Sequence, residues 1–366
     1  MEISKPENLS SAQSPVFEVV EFTRLRKDEW NRYVVRHPEG TIFHTYEMQQ
    51  VYEETPSNSP IALACIDRNR DIVAILCAVR VETITGFASR FASRSIFYAE
   101  PICDPTEAGK TGLRLLIQQH DEENKGRILF SEIRSIYDTG IQHEPLVSEK
   151  YQHLDYLNYL VDLDVPPEQL WNRVSKNTRK QIRKCRNRDV MIEIANHHDA
   201  IQKMYQVVQF SYQRSGVPLV DVHLFHHALD ILGEGVAEIR FARHQNEIVA
   251  TGISLKFKEL IYAWYGGSYR ISGLAPFAFL TWDEIEAGSR QGFKTYDFGG
   301  AGWPDEPYGP RDFKSKFGSR LVQFGRYRKI DSKWKMHLAN FVYSTKRKLA
   351  ANHHSKNESK KNTKLN

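Results

Sequence analysis

The residues best suited to chemistry lie in one stretch near the end of the chain, from Tyr296 to Gly318. Asp297 and Tyr308 are proton-handling groups, and Lys314 can stabilise negative charge. Arg311 and Lys316 suit an anionic ligand, while Gly299, Gly300 and Gly302 let a backbone approach a substrate closely. Such a set suits acyl transfer to an amine. The amine must lose a proton, and the tetrahedral oxyanion must be stabilised. Asp297 has a second reading, as a cap on the glycine loop. Neither a Ser/His/Asp order nor a catalytic cysteine motif stands out, so direct attack by the acceptor amine is expected, with no covalent enzyme intermediate.

A second constellation precedes it: Arg270-Ile-Ser-Gly273-Leu-Ala275, after a β-like run (Leu260 to Tyr265) and at the start of a helical one. The first N–H groups of a helix lack intrahelical partners, and a small residue lets a pyrophosphate rest against them. The pattern is similar to the R/Q-x-x-G-x-G/A loop with which GNAT acyltransferases grip coenzyme A. An ordinary helix start with a packing glycine reads the same way. Upstream, one helix is expected over about Glu168 to Arg188. Leu170, Val174, Thr178, Ile182 and Cys185 share its apolar face. From Arg173 to Arg188 it carries eight cations and no acid, which calls for an anionic partner such as RNA or for acids supplied by the first domain. From Arg311 to Lys335 nine cations are interleaved with aromatics, a pattern of nucleic-acid binding or of an amphipathic strand over Leu321 to Ile330.

These groups must be positioned by a duplicated framework. ACIDRNRDIVAIL, from Ala64, and RFARHQNEIVATG, from Arg240, both read as β-hairpins ending in acid-Ile-Val-Ala. Each is followed by a strand, a helix and a second strand: Ser95–Glu100, about Thr106–Asn124 and RILFSEIR in the first copy, then Leu260–Tyr265, about Pro276–Gln291 and KTYDFGGA. The result is an α/β fold with α+β-like mixed sheets, in two domains at about 16–155 and 156–335 with a cleft between them. Residues 1–15 are expected to be disordered, and 336–366 to form a basic helix and tail. The tail carries +6 of the net +5, leaving the rest nearly neutral. Composition is that of a soluble globular protein, 41% hydrophobic and 26% charged. No apolar run is long enough for a membrane helix, and the polar N-terminus lacks a signal-peptide core, so cytoplasm is the expected compartment. Cys65, Cys77, Cys103 and Cys185 are too scattered for a zinc site or a disulfide framework, and the paired histidines read as surface residues.

At Asn177-Thr-Arg-Lys-x-Ile-Arg-Lys184, Arg214-Ser-Gly216, Gly292-x-x-x-Tyr-Asp-Phe-Gly-Gly300 and Phe313-Lys-x-x-Phe-Gly318, the chain resembles the Fem-type aminoacyltransferases. The resemblance covers roughly Phe17 to Ile330. It implies two tandem GNAT-like domains that move an amino acid from aminoacyl-tRNA to an amine of a peptidoglycan precursor, with no metal or other cofactor. It places Phe313 and Lys314 at the reaction centre and Arg214 on a precursor phosphate. The long helical arm of some members has no counterpart, and Thr41 to Glu54 is acidic where a cation is expected. Related GNAT-like enzymes of exopolysaccharide synthesis share much of the pattern, so acyl-CoA is a second donor, served by Arg270, Gly273 and Ala275. Tyr265, Arg311, Lys316, Gly299 and Gly300 are the remaining candidate substrate contacts. The expected partners are thus charged tRNA or acyl-CoA and a cell-wall or glycan precursor, with peripheral contact to the inner membrane face. A non-catalytic RNA- or envelope-binding protein is the reading from another class.

Overall fold

The computed structural model describes residues 17–82, 93–138, 140–195 and 197–331. The expected disordered N-terminus and basic tail lie outside them. The first unit runs β1 (Glu18–Glu21), α1 (Lys27–Arg36), α2 (Tyr46–Glu54), β2 (Asn58–Ile66), β3 (Ile72–Val81), β4 (Arg94–Phe97), β5 (Ile102–Cys103), α3 (Glu107–Asn124), β6 (Phe130–Arg134), α4 (His143–Ser148) and β7 (Gln152–Leu154). The second runs β8 (Asn158–Asp162), α5 (Pro167–Arg173), α6 (Lys176–Arg186), β9 (Met191–Ile194), α7 (His198–Ser215), α8 (His223–Leu232), β10 (Ala237–His244), β11 (Glu247–Phe257), β12 (Leu260–Ser268), α9 (Pro276–Arg290) and β13 (Thr295–Gly300). The chain ends with α10 (Gly309–Lys314), β14 (Arg320–Val322) and β15 (Arg326–Ile330).

The duplication is plain in the strand pairing. Sheet one has the order β1-β2-β3-β4-β6-β15-β7, with β5 on β3, and sheet two the order β14-β8-β13-β12-β11-β10-β9. In each, a hairpin (β2–β3, β10–β11) pairs antiparallel with the next strand (β4, β12). That strand then pairs in parallel with the strand after the crossover helix (β6, β13). The helices α3 and α9 begin where predicted, because Thr106 caps one through Gly109 N–H and Pro276 opens the other.

Two expectations change. The single helix over 168–188 is two helices, α5 and α6, because Val174 is extended and Ser175 caps α6 through the Thr178 N–H. The apolar face survives the break: Leu170, Val174, Thr178, Ile182 and Cys185 are all buried. The strand expected over 321–330 is also two. Gly325 turns the chain, and residues 326–330, grouped with the second unit from sequence, enter sheet one between β6 and β7. Tyr327 anchors them, buried, with its hydroxyl 2.6 Å from His143 Nδ1. Tyr327→Ala is therefore expected to cost about 3–5 kcal/mol of stability, read by urea denaturation.

The four cysteines are buried and free, and no described group of His, Cys, Asp or Glu can hold a metal. Among the described residues no helix is long and apolar enough to cross a membrane. The units meet where α2 packs on α8 and Phe43 packs edge-on to Tyr262. Two acids of α2 have partners: Glu54 lies 3.3 Å from His227 of α8, and Glu47 pairs with Lys27 of α1.

Candidate active site

The site begins where sheet two opens. β12 and β13 pair over three positions only, Leu260–Tyr262 with Thr295–Asp297, and both strands then continue unpaired with each other, to Ser268 and Gly300. On its other side β13 skips β8 between Asp297 and Gly300. This bulge puts Gly299 at φ +68°, a conformation that favours glycine. The carbonyls around it need a partner, and Lys314 supplies one. Its Nζ donates to Phe298 O (2.7 Å), Gly299 O (3.2 Å) and Gly300 O (2.7 Å). An ammonium has three protons, so all are committed to the backbone. Burial pushes the Lys314 pKa down to about 8, against the pull of Asp297.

Asp297 stands at the fork itself, paired across to Tyr262 and fully buried. Its Oδ1 accepts the Gly299 N–H (2.7 Å), so it does cap the glycine loop. Its Oδ2 is buried with no described partner. Burial raises its pKa to about 6, while the Gly299 N–H and Lys314 restrain the rise. The carboxylate is thus poised to change protonation near neutrality with one oxygen unpartnered.

The Phe-Lys segment is a brace across this fork. Phe313 stacks on Phe277 in the first turn of α9 (5.3 Å), while Lys314, the next residue, holds the β13 bulge. Phe317 is buried against Phe298 and Phe313. Gly318, at φ +70°, lets the chain pass Arg173, whose Cβ lies 2.4 Å from where a side chain would begin. Arg311 holds the glycine-rich loop through the carbonyls of Ala301 (3.0 Å), Pro304 (3.2 Å) and Trp303. Tyr308 is exposed and lies against Gly302, and Lys316 is exposed. Gly300 faces Tyr156, whose ring would be 2.6 Å from an added Cβ. Gly300→Ala is expected to cost about 1–3 kcal/mol by overpacking and to lower turnover through the displaced bulge; urea denaturation and a rate assay check it.

The Arg270–Ala275 loop lies between β12 and α9, as expected. Ala275 precedes the helix with no side-chain cap, leaving the N–H groups of the first turn uncapped by a side chain. Gly273 is at φ +72° with Lys184 Nζ of α6 3.0 Å from its missing Cβ position. α6 therefore lies beside the loop and brings a cation to it. Among the described residues, the ion pair of the basic stretch 173–188 is Arg186 with Glu286 of α9, and no described acid of the first domain pairs with it. Arg214 is exposed at the end of α7, its guanidinium over Phe210, which packs on Tyr269 of the same loop. Tyr265 faces Tyr212 in the opened part of β12.

Sequence reasoning missed the groups that sheet one brings to the cleft. Tyr98 stacks on Tyr52 and lies under the Arg134 guanidinium (5.3 Å). Arg326 covers the Tyr156 ring at 3.5 Å. The available signal was charged residues at alternate positions, Glu132-x-Arg134 and Arg326-x-Arg328, on strands otherwise built for a core.

Residues 172–315 match the family model of the acetyltransferase (GNAT) domain. Comparison with curated protein sequences yields no match. Among solved structures, FemX is similar with a TM-score of 0.64 at 14% identity, covering 86% of this chain and 97% of that one. A tandem GNAT protein from the clavulanic acid biosynthesis pathway gives 0.56 at 8% identity, over 87% and 99% of the two chains. L-PGS from Bacillus licheniformis gives 0.51 at 12%, over 81% and 96%. At these identities the likeness is one of fold: two GNAT domains in tandem.

Proposed function

We propose that this chain, an acyltransferase with a GNAT domain in a tandem-GNAT fold, moves an aminoacyl group from charged tRNA to an amine of a cell-wall precursor held between its domains. The observation that carries the chemistry is the β12–β13 fork, with the unpartnered Asp297 oxygen at its floor and Lys314 fixing its rim. The acceptor amine gives its proton to Asp297 Oδ2 as it attacks the donor carbonyl. The ester C–O bond of the donor then breaks, and its electron pair leaves with the carrier oxygen, which is reprotonated. Lys314 acts by holding the three carbonyls in place and by its positive charge, since its own protons are committed. Tyr308, exposed beside the glycine loop, is the nearer group to solvent for the leaving oxygen's proton.

The charged-tRNA donor is supported by the Phe313-Lys314 signature and by the basic face of α6, which no described acid of the first domain covers. A second reading takes the acyl group from acyl-CoA. The Gly273 turn beside Lys184, at the uncapped start of α9, favours it. Equilibrium binding of labelled charged tRNA and labelled acyl-CoA to the whole chain separates them. The first reading expects saturable tRNA binding that falls about tenfold in Arg179→Gln/Lys180→Gln, with acyl-CoA bound weakly. Tight acyl-CoA binding that depends on Arg270 supports the second. A non-catalytic binding role is set aside by the GNAT domain.

A further inference from the structure

The largest unassigned concentration of charge lies on the face of sheet one turned toward the second domain. The register puts Arg134 opposite Arg326 and Glu132 opposite Arg328, so all four side chains share one face of β6 and β15. Ile96 of β4 is opposite Glu132, which places Arg94, two residues earlier, on the same face. Glu132 is almost wholly buried and pairs with Arg134 (3.3 Å), Arg326 (2.7 Å) and Arg328. Arg94 has no described ion pair. Four guanidiniums thus surround one carboxylate, a net of +3.

Like charges gathered at low exposure repel, and they desolvate at a cost that one carboxylate does not offset. The arginines are also incompletely bonded: the Nε–H groups of Arg94, Arg326 and Arg328 are buried without a partner. The other buried charged cluster, on sheet two, closes on itself: Arg240 and Lys256 are matched by Glu238 and Asp283. The excess on sheet one is therefore a local feature. Burial and the neighbouring Arg134 depress the Arg94 pKa, as expected where a counter-charge is missing. The cluster adjoins the cleft: Arg326 lies over Tyr156, Arg328 over Trp303 (5.6 Å), and Arg134 over Tyr98. Tyr156 is the ring that limits Gly300, so the cluster is one side chain away from the β13 bulge.

We propose that Arg94, Arg134, Arg326 and Arg328 form an anion site in which the first domain holds a phosphate-type group of the acceptor beside the fork. Its assignment to the acceptor rests on the acyl-transfer reading; the site itself does not. Guanidinium forks match phosphate oxygens with paired hydrogen bonds, and three unpartnered Nε–H groups are donors that Glu132 leaves unused. The donor loop sits instead between β12 and α9, on the far side of the fork from Tyr156.

Trp303 gives a local reporter. The whole chain is titrated with inorganic pyrophosphate while tryptophan fluorescence is followed, with Trp303→Phe as the control that removes the signal. Arg94→Gln is the decisive variant, since no described ion pair of the fold depends on that guanidinium, and its thermal melt is expected to match the parent. Saturable binding that weakens at least tenfold in Arg94→Gln, and stays within twofold in Arg270→Gln, is the expected result. Absence of saturable binding, a smaller loss in Arg94→Gln, or an equal loss in Arg270→Gln overturns the proposal. The readout is independent of turnover, so a chain that binds pyrophosphate here yet transfers no acyl group refutes only the functional reading.

Discussion

Lys314→Met is expected to lower kcat by about 10²–10³-fold, the scale of losing one preorganised electrostatic element at a reaction centre. The substitution keeps the apolar stem and removes the ammonium. Three carbonyls at the β13 bulge, Phe298, Gly299 and Gly300, lose the donor that now holds them. Two consequences follow from the same atoms. The bulge relaxes, so the fork no longer presents its floor in one geometry. Leaving buried acceptors unpaired also costs about 1–3 kcal/mol each where water does not reach them, so the variant is less stable as well as slower. Phe313 stays stacked on Phe277, so the brace keeps its outer half. A rate assay on variant that still unfolds cooperatively in urea separates the two effects; unchanged kcat removes Lys314 from the mechanism.

Asp297→Asn is expected to lower kcat by about 10²–10⁴-fold, the usual worth of a positioned general base. Asparagine keeps an oxygen for the Gly299 N–H, so the glycine loop remains capped and the loss reports the proton acceptor. The pH profile gives the second readout. Asp297, with its pKa raised to about 6 by burial, is the active base only above that value, so activity rises as pH climbs through 6. Lys314, with its pKa depressed to about 8, carries its charge only below that value, so activity falls as pH climbs through 8. The parent protein is expected to show a plateau between the two. Asp297→Asn removes the acid limb and Lys314→Met the alkaline one.

Much of this architecture was legible because it is written twice. The hairpin ending in acid-Ile-Val-Ala and the strand, helix and strand after it recur in both halves, and both sheets carry the same pairing order. The apolar face of 170–185 was legible too, since burial follows spacing even across the break at Val174 and Ser175. What spacing could not reveal was set by tertiary partners. Residues 321–330 read as one strand, but β14 pairs with β8 and β15 with β6, and a pairing choice leaves no local trace. Lys314 read as a cation for developing negative charge, and its hold on three backbone carbonyls was hidden because a bulge in another strand presents them. The arginine cluster draws on three separate segments, each of which alone looks like an ordinary strand with charged residues on one face.

Acyl transfer at the β12–β13 fork is read out by the mass of an acceptor. Amine-bearing cell-wall precursors are incubated with the whole chain and either charged tRNA or acyl-CoA, and the products are weighed by mass spectrometry. The amine is expected to gain one acyl or aminoacyl residue, a gain abolished in parallel in Asp297→Asn and strongly reduced in Lys314→Met. A gain that persists undiminished in both variants places the chemistry elsewhere in the molecule and rules out the fork as the reaction centre.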